Sequence, residues 1–105
     1  MSSVYISAQA IDDLKDIFAS LISLSKGSLE LNHALGYVTD IENQCYSIIH
    51  KTYHFRTRYS DHKQFGEKVH MYRRKSKTVW YIIYNIDNQQ NILITKIISN
   101  YLTEE

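Results

Sequence analysis

Three features of the sequence predict an α+β two-layer domain in the order β-α-α-β-β-β, with a helical hairpin packed on an antiparallel-rich sheet. The β-prone residues Val4, Tyr5 and Ile6 lead into two long stretches whose apolar residues recur at three- and four-residue steps. The final part of the chain instead carries runs of β-branched and aromatic residues, separated by Arg/Lys/Ser and Asp/Asn/Gln clusters that suit tight turns. At 105 residues there is room for one domain, residues 1–105, with a single modest core.

Each element follows in order. Ser7 closes the first strand and can cap the helix after it, because its hydroxyl can accept a hydrogen bond from an unsatisfied N–H of the first turn. From Ala8 to about Ser25, Ile11, Leu14, Phe18, Leu21 and Ile22 form one stripe, widened by Ile17. Asp12 and Asp13 are expected in the first turn, at the positive end of the helix dipole. Gly27 ends this segment and Ser28 is a candidate cap for the next. There Leu31, Ala34, Leu35, Val38, Ile41, Cys45, Ile48 and Ile49 hold one face over a longer helix. The short connection through residues 25–28 makes the two helices antiparallel neighbours whose apolar faces need a sheet to cover them. Residues 53–67 have no clear period and read as a loop or a short irregular strand, a place where function can sit. A basic strand from Lys68, an aromatic strand from Thr78 to Ile86 and a third from Asn91 to Ile98 complete an antiparallel meander. The middle strand is apolar on both faces and so belongs in the interior.

Composition excludes several classes. The 44% hydrophobic and 22% charged fractions are those of an ordinary globular domain, and no apolar run approaches the roughly 20 residues of a membrane span. The first residues lack a basic region followed by a long apolar one, so a cytoplasmic location is expected. The lone Cys45 lies in the apolar helical stripe, where it reads as core packing. The net charge of +1 hides a polarity. Residues 1–50 hold two lysines against six carboxylates, a balance of −4, while residues 51–77 hold nine cations against two carboxylates, a balance of +7. His54, His62 and His70, with Tyr53, Phe55, Tyr59, Phe65 and Tyr72, are interleaved among those cations. Cations alternating with rings suit a surface that binds phosphates and stacks on bases. The alternative is a solvated loop and an edge strand protected from aggregation by its charges.

The opening segment from Val4 to Leu14 is a short strand, a serine and an acidic amphipathic helix. Together with Trp80-Tyr-Ile-Ile-Tyr84 and Ile92-Leu-Ile-Thr-Lys-Ile-Ile98, it resembles the RelE/ParE superfamily of toxins from type II toxin–antitoxin systems. The resemblance covers nearly the whole chain as a pattern. It implies a toxin neutralised by a cognate antitoxin protein. The target would be messenger RNA on the ribosome, cut by a RelE-type endoribonuclease, or DNA gyrase, inhibited without catalysis by a ParE-type protein. A degenerate member that keeps only a protein-binding role is a third reading. Two departures bear on this choice: Tyr81 stands where many members have an Arg, and the chain reads Ser99-Asn100-Tyr101 where members present a cation, a Tyr or His-x-Arg.

Cleavage by attack of the ribose 2′-OH needs a group to assist deprotonation, cations to hold the phosphate, and an acid for the leaving 5′ oxygen. On the basic strand His70, Tyr72 and Arg74 alternate, with Lys68 in phase, and so project from one face; Arg73 and Lys75 point the other way. His70, Tyr72, Arg74 and, through the resemblance, Tyr101 are the catalytic candidates. Arg56, Arg58, Lys68, Arg73, Lys75 and Lys96 are the candidates for contacting RNA phosphates. His50 and His54 have a spacing that suits a metal only on a continuous helix, and there is no third ligand at a recognisable spacing. No metal or other cofactor is expected. The apolar surface of the first helix is a candidate seat for an antitoxin helix or a second copy.

Overall fold

The structure is a computed structural model describing residues 2–23, 28–74 and 77–100, with residues 28–30 as backbone alone. It is an α+β fold built on a five-stranded mixed sheet of order β1-β5-β4-β3-β2, with β1 Val4–Ile6, β2 Phe55–Arg56, β3 Lys68–Arg73, β4 Val79–Ile86 and β5 Ile92–Ser99. Helices α1 (Ala8–Ser23) and α2 (Ser28–Ser47) pack side by side on one face. A 3-10 turn at Ile48–His50 and a short helix α3 (Ser60–Lys63) complete the elements. The expected meander is present as β3-β4-β5, all antiparallel, whereas β1 joins β5 in parallel.

Ser7 performs two tasks at the β1–α1 junction. Its N–H donates to the Ile94 carbonyl at 2.9 Å, and its hydroxyl accepts from the Ala10 N–H at 3.1 Å, which caps α1. Asp12 and Asp13 fall beyond the first turn, which holds no acid, so the expected dipole role gives way to a different one for Asp13. Beyond Ile94, strand β5 has outrun the short β1. There Asp13 accepts the Ile97 N–H at 2.9 Å through Oδ2 and the Lys96 ammonium at 2.9 Å through Oδ1. A buried carboxylate is retained because both of its oxygens are satisfied.

The main core lies between the helices and the sheet. Ala10, Leu14, Ile41, Cys45 and Ile48 meet Ile82, Tyr84, Ile92, Ile94 and Ile97. Cys45 is fully buried, and burial, reinforced by Glu42, pushes its thiol up to about 12, which makes it an inert packing group. Leu31 and Leu35, expected in the same stripe, are about half exposed. The points concerning Ser25 and Gly27, and the capping side chain of Ser28, lie outside what is described.

Strand β4 is covered on both faces, as its composition predicts. Tyr81 and Ile83 alternate with Ile82 and Tyr84 and meet a second, smaller core of Val69, Tyr59 and Phe65. The segment from 53 to 67 is therefore no free loop. It contributes β2 and α3 and folds across the side of the sheet opposite α1 and α2. Gly66 permits the close approach, because a Cβ there would lie 2.9 Å from Ile83 Cγ2 and 3.1 Å from the Tyr84 carbonyl. Thr57 Oγ1 donates to the Gly66 carbonyl at 3.0 Å and fixes the segment's return.

Candidate functional site

Strand β3 divides its side chains between two surroundings. His70, Tyr72 and Arg74 share one face, as the alternation predicts, and that face is the one under the helices. The Lys51 ammonium can only donate, so at 3.1 Å it fixes His70 Nδ1 as an acceptor and leaves Nε2–H to donate to Gln44 Oε1 at 2.9 Å. Burial and the Lys51 charge lower the ring to about 4, so His70 is neutral near pH 7 with both nitrogens occupied. Arg74 bonds Asp40 at 2.8 Å and lies 4.9 Å from the centre of the Tyr37 ring. Tyr72 packs on the main core, and burial and Asp40 hold its phenol above the usual range. Lys96 is committed to Asp13 and lies 5.2 Å from the Phe65 ring centre. Tyr101 and Lys75 lie outside the described residues.

The opposite face holds a cavity of about 620 Å³. Its floor is a ring cluster. His62 lies 4.7 Å from Tyr81 between ring centres, Tyr59 lies 5.1 Å from His62, and Tyr59 lies 5.9 Å from Tyr81. His62 is 1% exposed, and desolvation, partly opposed by Asp61, lowers its pKa. Around it stand Arg56, Arg58 and Lys68 with the exposed Tyr53, Phe55 and Met71. Lys68 and its register partner Arg56 belong by alternation to the His70 face, as expected for Lys68, and border the cavity at β2, the edge strand of the sheet. Tyr53 and Phe55 form an edge-to-face pair with ring centres 4.8 Å apart. Arg73 follows Met71 on the same face of β3. Arg56, Arg58, Lys68 and Arg73 make no ion pair with an acid among the described residues.

Comparison of the chain with protein-family models, curated proteins and solved structures finds no match. The reading of the site therefore rests on geometry.

Of the expected phosphate contacts, the structure brings Arg56, Arg58 and Lys68 to one cavity, with Arg73 on the same side. It keeps His70, Tyr72 and Arg74 together but on the helix side. Tyr59 and His62 are named in the sequence only as members of the interleaved ring-and-cation stretch, and Tyr81 only as a departure from the resembling family; that the three form one cluster was missed. The signal for Tyr81 was present, since period two along β4 sets it opposite Ile82 and Tyr84. Tyr59 and His62 are three apart on one helical turn, but that turn is only four residues long and gives no periodicity to detect. His50 ends the 3-10 turn and Lys51 is extended, so His50 and His54 are not one turn apart on a continuous helix.

A second concavity, of about 630 Å³, lies between α1, α2 and β1 and is mostly apolar, with Tyr5, Ile11, Leu35 and Tyr46 exposed around it. Among the described residues no group of three His, Cys, Asp or Glu side chains is placed to hold a metal ion, and no helix is long and apolar enough to cross a membrane.

Proposed function

We propose that this chain is a toxin of the RelE/ParE type that acts on messenger RNA, and that it binds the strand on the face of its sheet opposite α1 and α2. The observation that carries the reading is the cavity in which Arg56, Arg58 and Lys68 surround a floor of Tyr59, His62 and Tyr81. Uncommitted cations track a phosphate backbone, and exposed rings such as Tyr53 and Phe55 offer faces on which unpaired bases stack. A helical hairpin on one face and an antiparallel meander behind it support the likeness in architecture. The polar contacts that hold His70 and Arg74 to α2 make them positioning groups in this reading, with Tyr72 beside them. Cleavage would then draw on the ribosome as well as on this chain. The test is primer extension on cellular messages shortly after induction of the chain alone, with growth recorded. Cuts within translated codons support an endoribonuclease, and arrest without cuts contradicts it.

Two observations favour a second reading. His70 is neutral with both nitrogens bonded, and a mostly apolar groove lies between the helices and β1. These suit a non-enzymatic protein binder, of the gyrase-inhibiting kind or a degenerate member. Its sign is a DNA-damage response without cut messages, or no arrest at all.

A further inference from the structure

At the edge of the same cavity His54 is held by one partner. Its Nδ1 lies 2.6 Å from the Tyr84 hydroxyl, with the two ring centres 5.6 Å apart and the rings nearly perpendicular. Tyr84 is fully buried, and among the described residues His54 is the one hydrogen-bond partner of its hydroxyl. A buried phenol must donate its proton, so Tyr84 O–H donates and His54 Nδ1 accepts. That hydrogen bond fixes the tautomer, with the proton on Nε2. Nε2–H has no hydrogen-bond partner among the described residues, and His54 is one of the residues that border the cavity, with Arg56 and Lys68.

We propose that His54, oriented by Tyr84, is a neutral N–H donor that binds a phosphodiester oxygen beside Lys68 and Arg56. This rests on the reading of the cavity as an RNA site and names one anchor within it. A neutral donor suits this position because burial, and after it the charges of Lys51 and Lys68, oppose a positive charge on the ring. Those cations supply the Coulomb attraction, while the imidazole N–H supplies direction. Tyr84 does not reach the ligand. It is a positioning residue, acting through the ring it orients, in the way a hydrogen bond to one imidazole nitrogen sets the use of the other.

The test uses the whole chain labelled with nitrogen-15 and two-bond nitrogen–proton spectra of its histidines at pH 7.5. The expected result is a protonated Nε2 and an unprotonated Nδ1 on His54, with Nε2 shifting when inorganic phosphate or a short single-stranded RNA is added. Tyr84→Phe should mix the two tautomers. His54→Ala should weaken RNA binding about five- to tenfold, and His54→Gln, which retains an N–H donor, should recover most of it. The amide spectrum of each variant checks that it is folded. A proton on Nδ1, or an imidazolium at pH 7.5, would overturn the proposal. So would RNA that binds the cavity while His54 does not move, a result that leaves the RNA reading intact. A His54 that shifts with phosphate in a protein that binds no RNA would uphold the anion site and contradict the RNA reading.

Discussion

Asp13 on the first long helix accepts the backbone N–H of Ile97 on the last strand at 2.9 Å. The contact lies where β1 stops short and the edge of β5 would otherwise present that N–H unpaired. The same carboxylate holds Lys96 at 2.9 Å, so one buried side chain satisfies a backbone donor and an ammonium. An edge closed in this way is a poor template for pairing with another chain.

Asp13→Ala strands both partners and should cost about 2–4 kcal/mol in urea unfolding, because each donor keeps its desolvation penalty without its bond. Lys96→Met, which keeps the stem and removes the charge, should cost less. A change below about 0.5 kcal/mol for Asp13→Ala, the range of ordinary surface substitutions, would contradict this role.

Gly66 should not tolerate a methyl group. The contacts of 2.9 Å to Ile83 and 3.1 Å to the Tyr84 carbonyl involve a core side chain and sheet backbone, neither of which can yield freely. Gly66→Ala should lower stability by about 1–3 kcal/mol, as overpacking does, and loosen the segment over the face opposite α1 and α2. Thermal unfolding with amide exchange at Thr57 and Phe65 reads both effects.

His70 makes stability depend on pH. Its folded-state pKa, about 4, lies below the 6.5 of the free side chain, so between those values the unfolded chain binds more protons. The contribution is therefore complete above pH 6.5 and is lost as pH falls through 4. It amounts to no more than roughly 3 kcal/mol, and solvent screening of a partly exposed ring reduces that. His70→Gln should flatten this part of the urea-midpoint profile between pH 6.5 and 4, and an unchanged slope would contradict the geometry with Lys51 and Gln44.

The layer architecture was legible because it follows from period and composition. Apolar steps of three and four gave α1 and α2, and the unbroken apolar run from Tyr81 to Tyr84 gave a strand covered on both sides. Alternation along β3 correctly grouped His70, Tyr72 and Arg74, but a period of two says only which residues share a face, not which face is open. That depends on the segment from 53 to 67, whose two-residue strand and four-residue helix are too short to leave a pattern. For the same reason Arg56 and Arg58 were recognisable as cations, while the ring floor of Tyr59, His62 and Tyr81 was not. The exposure of Leu35 within a helical stripe was equally hidden, since an apolar residue is written the same way whether a neighbour covers it or not.

Substituting the rim cations should weaken RNA binding without unfolding the domain. Arg56→Ala, Arg58→Ala and Lys68→Ala should each reduce the affinity for a labelled single-stranded RNA by about three- to tenfold. Each should also lower the slope of log affinity against log salt by about 0.7, the amount for one phosphate contact on a single strand. Fluorescence anisotropy across a salt series measures both quantities. Arg74→Ala, whose charge is spent on Asp40, should leave the slope unchanged.

The most direct test of the account is to add a short single-stranded RNA to the nitrogen-15-labelled chain and map which backbone amides shift. The predicted set is Arg56, Arg58, Tyr59, Lys68, Met71 and Tyr81, around the cavity on the face opposite α1 and α2, with Asp40, Gln44 and the amides of α1 unmoved. Shifts confined to the helix side of β3 and to α2, or none at RNA concentrations where binding is expected, would contradict it.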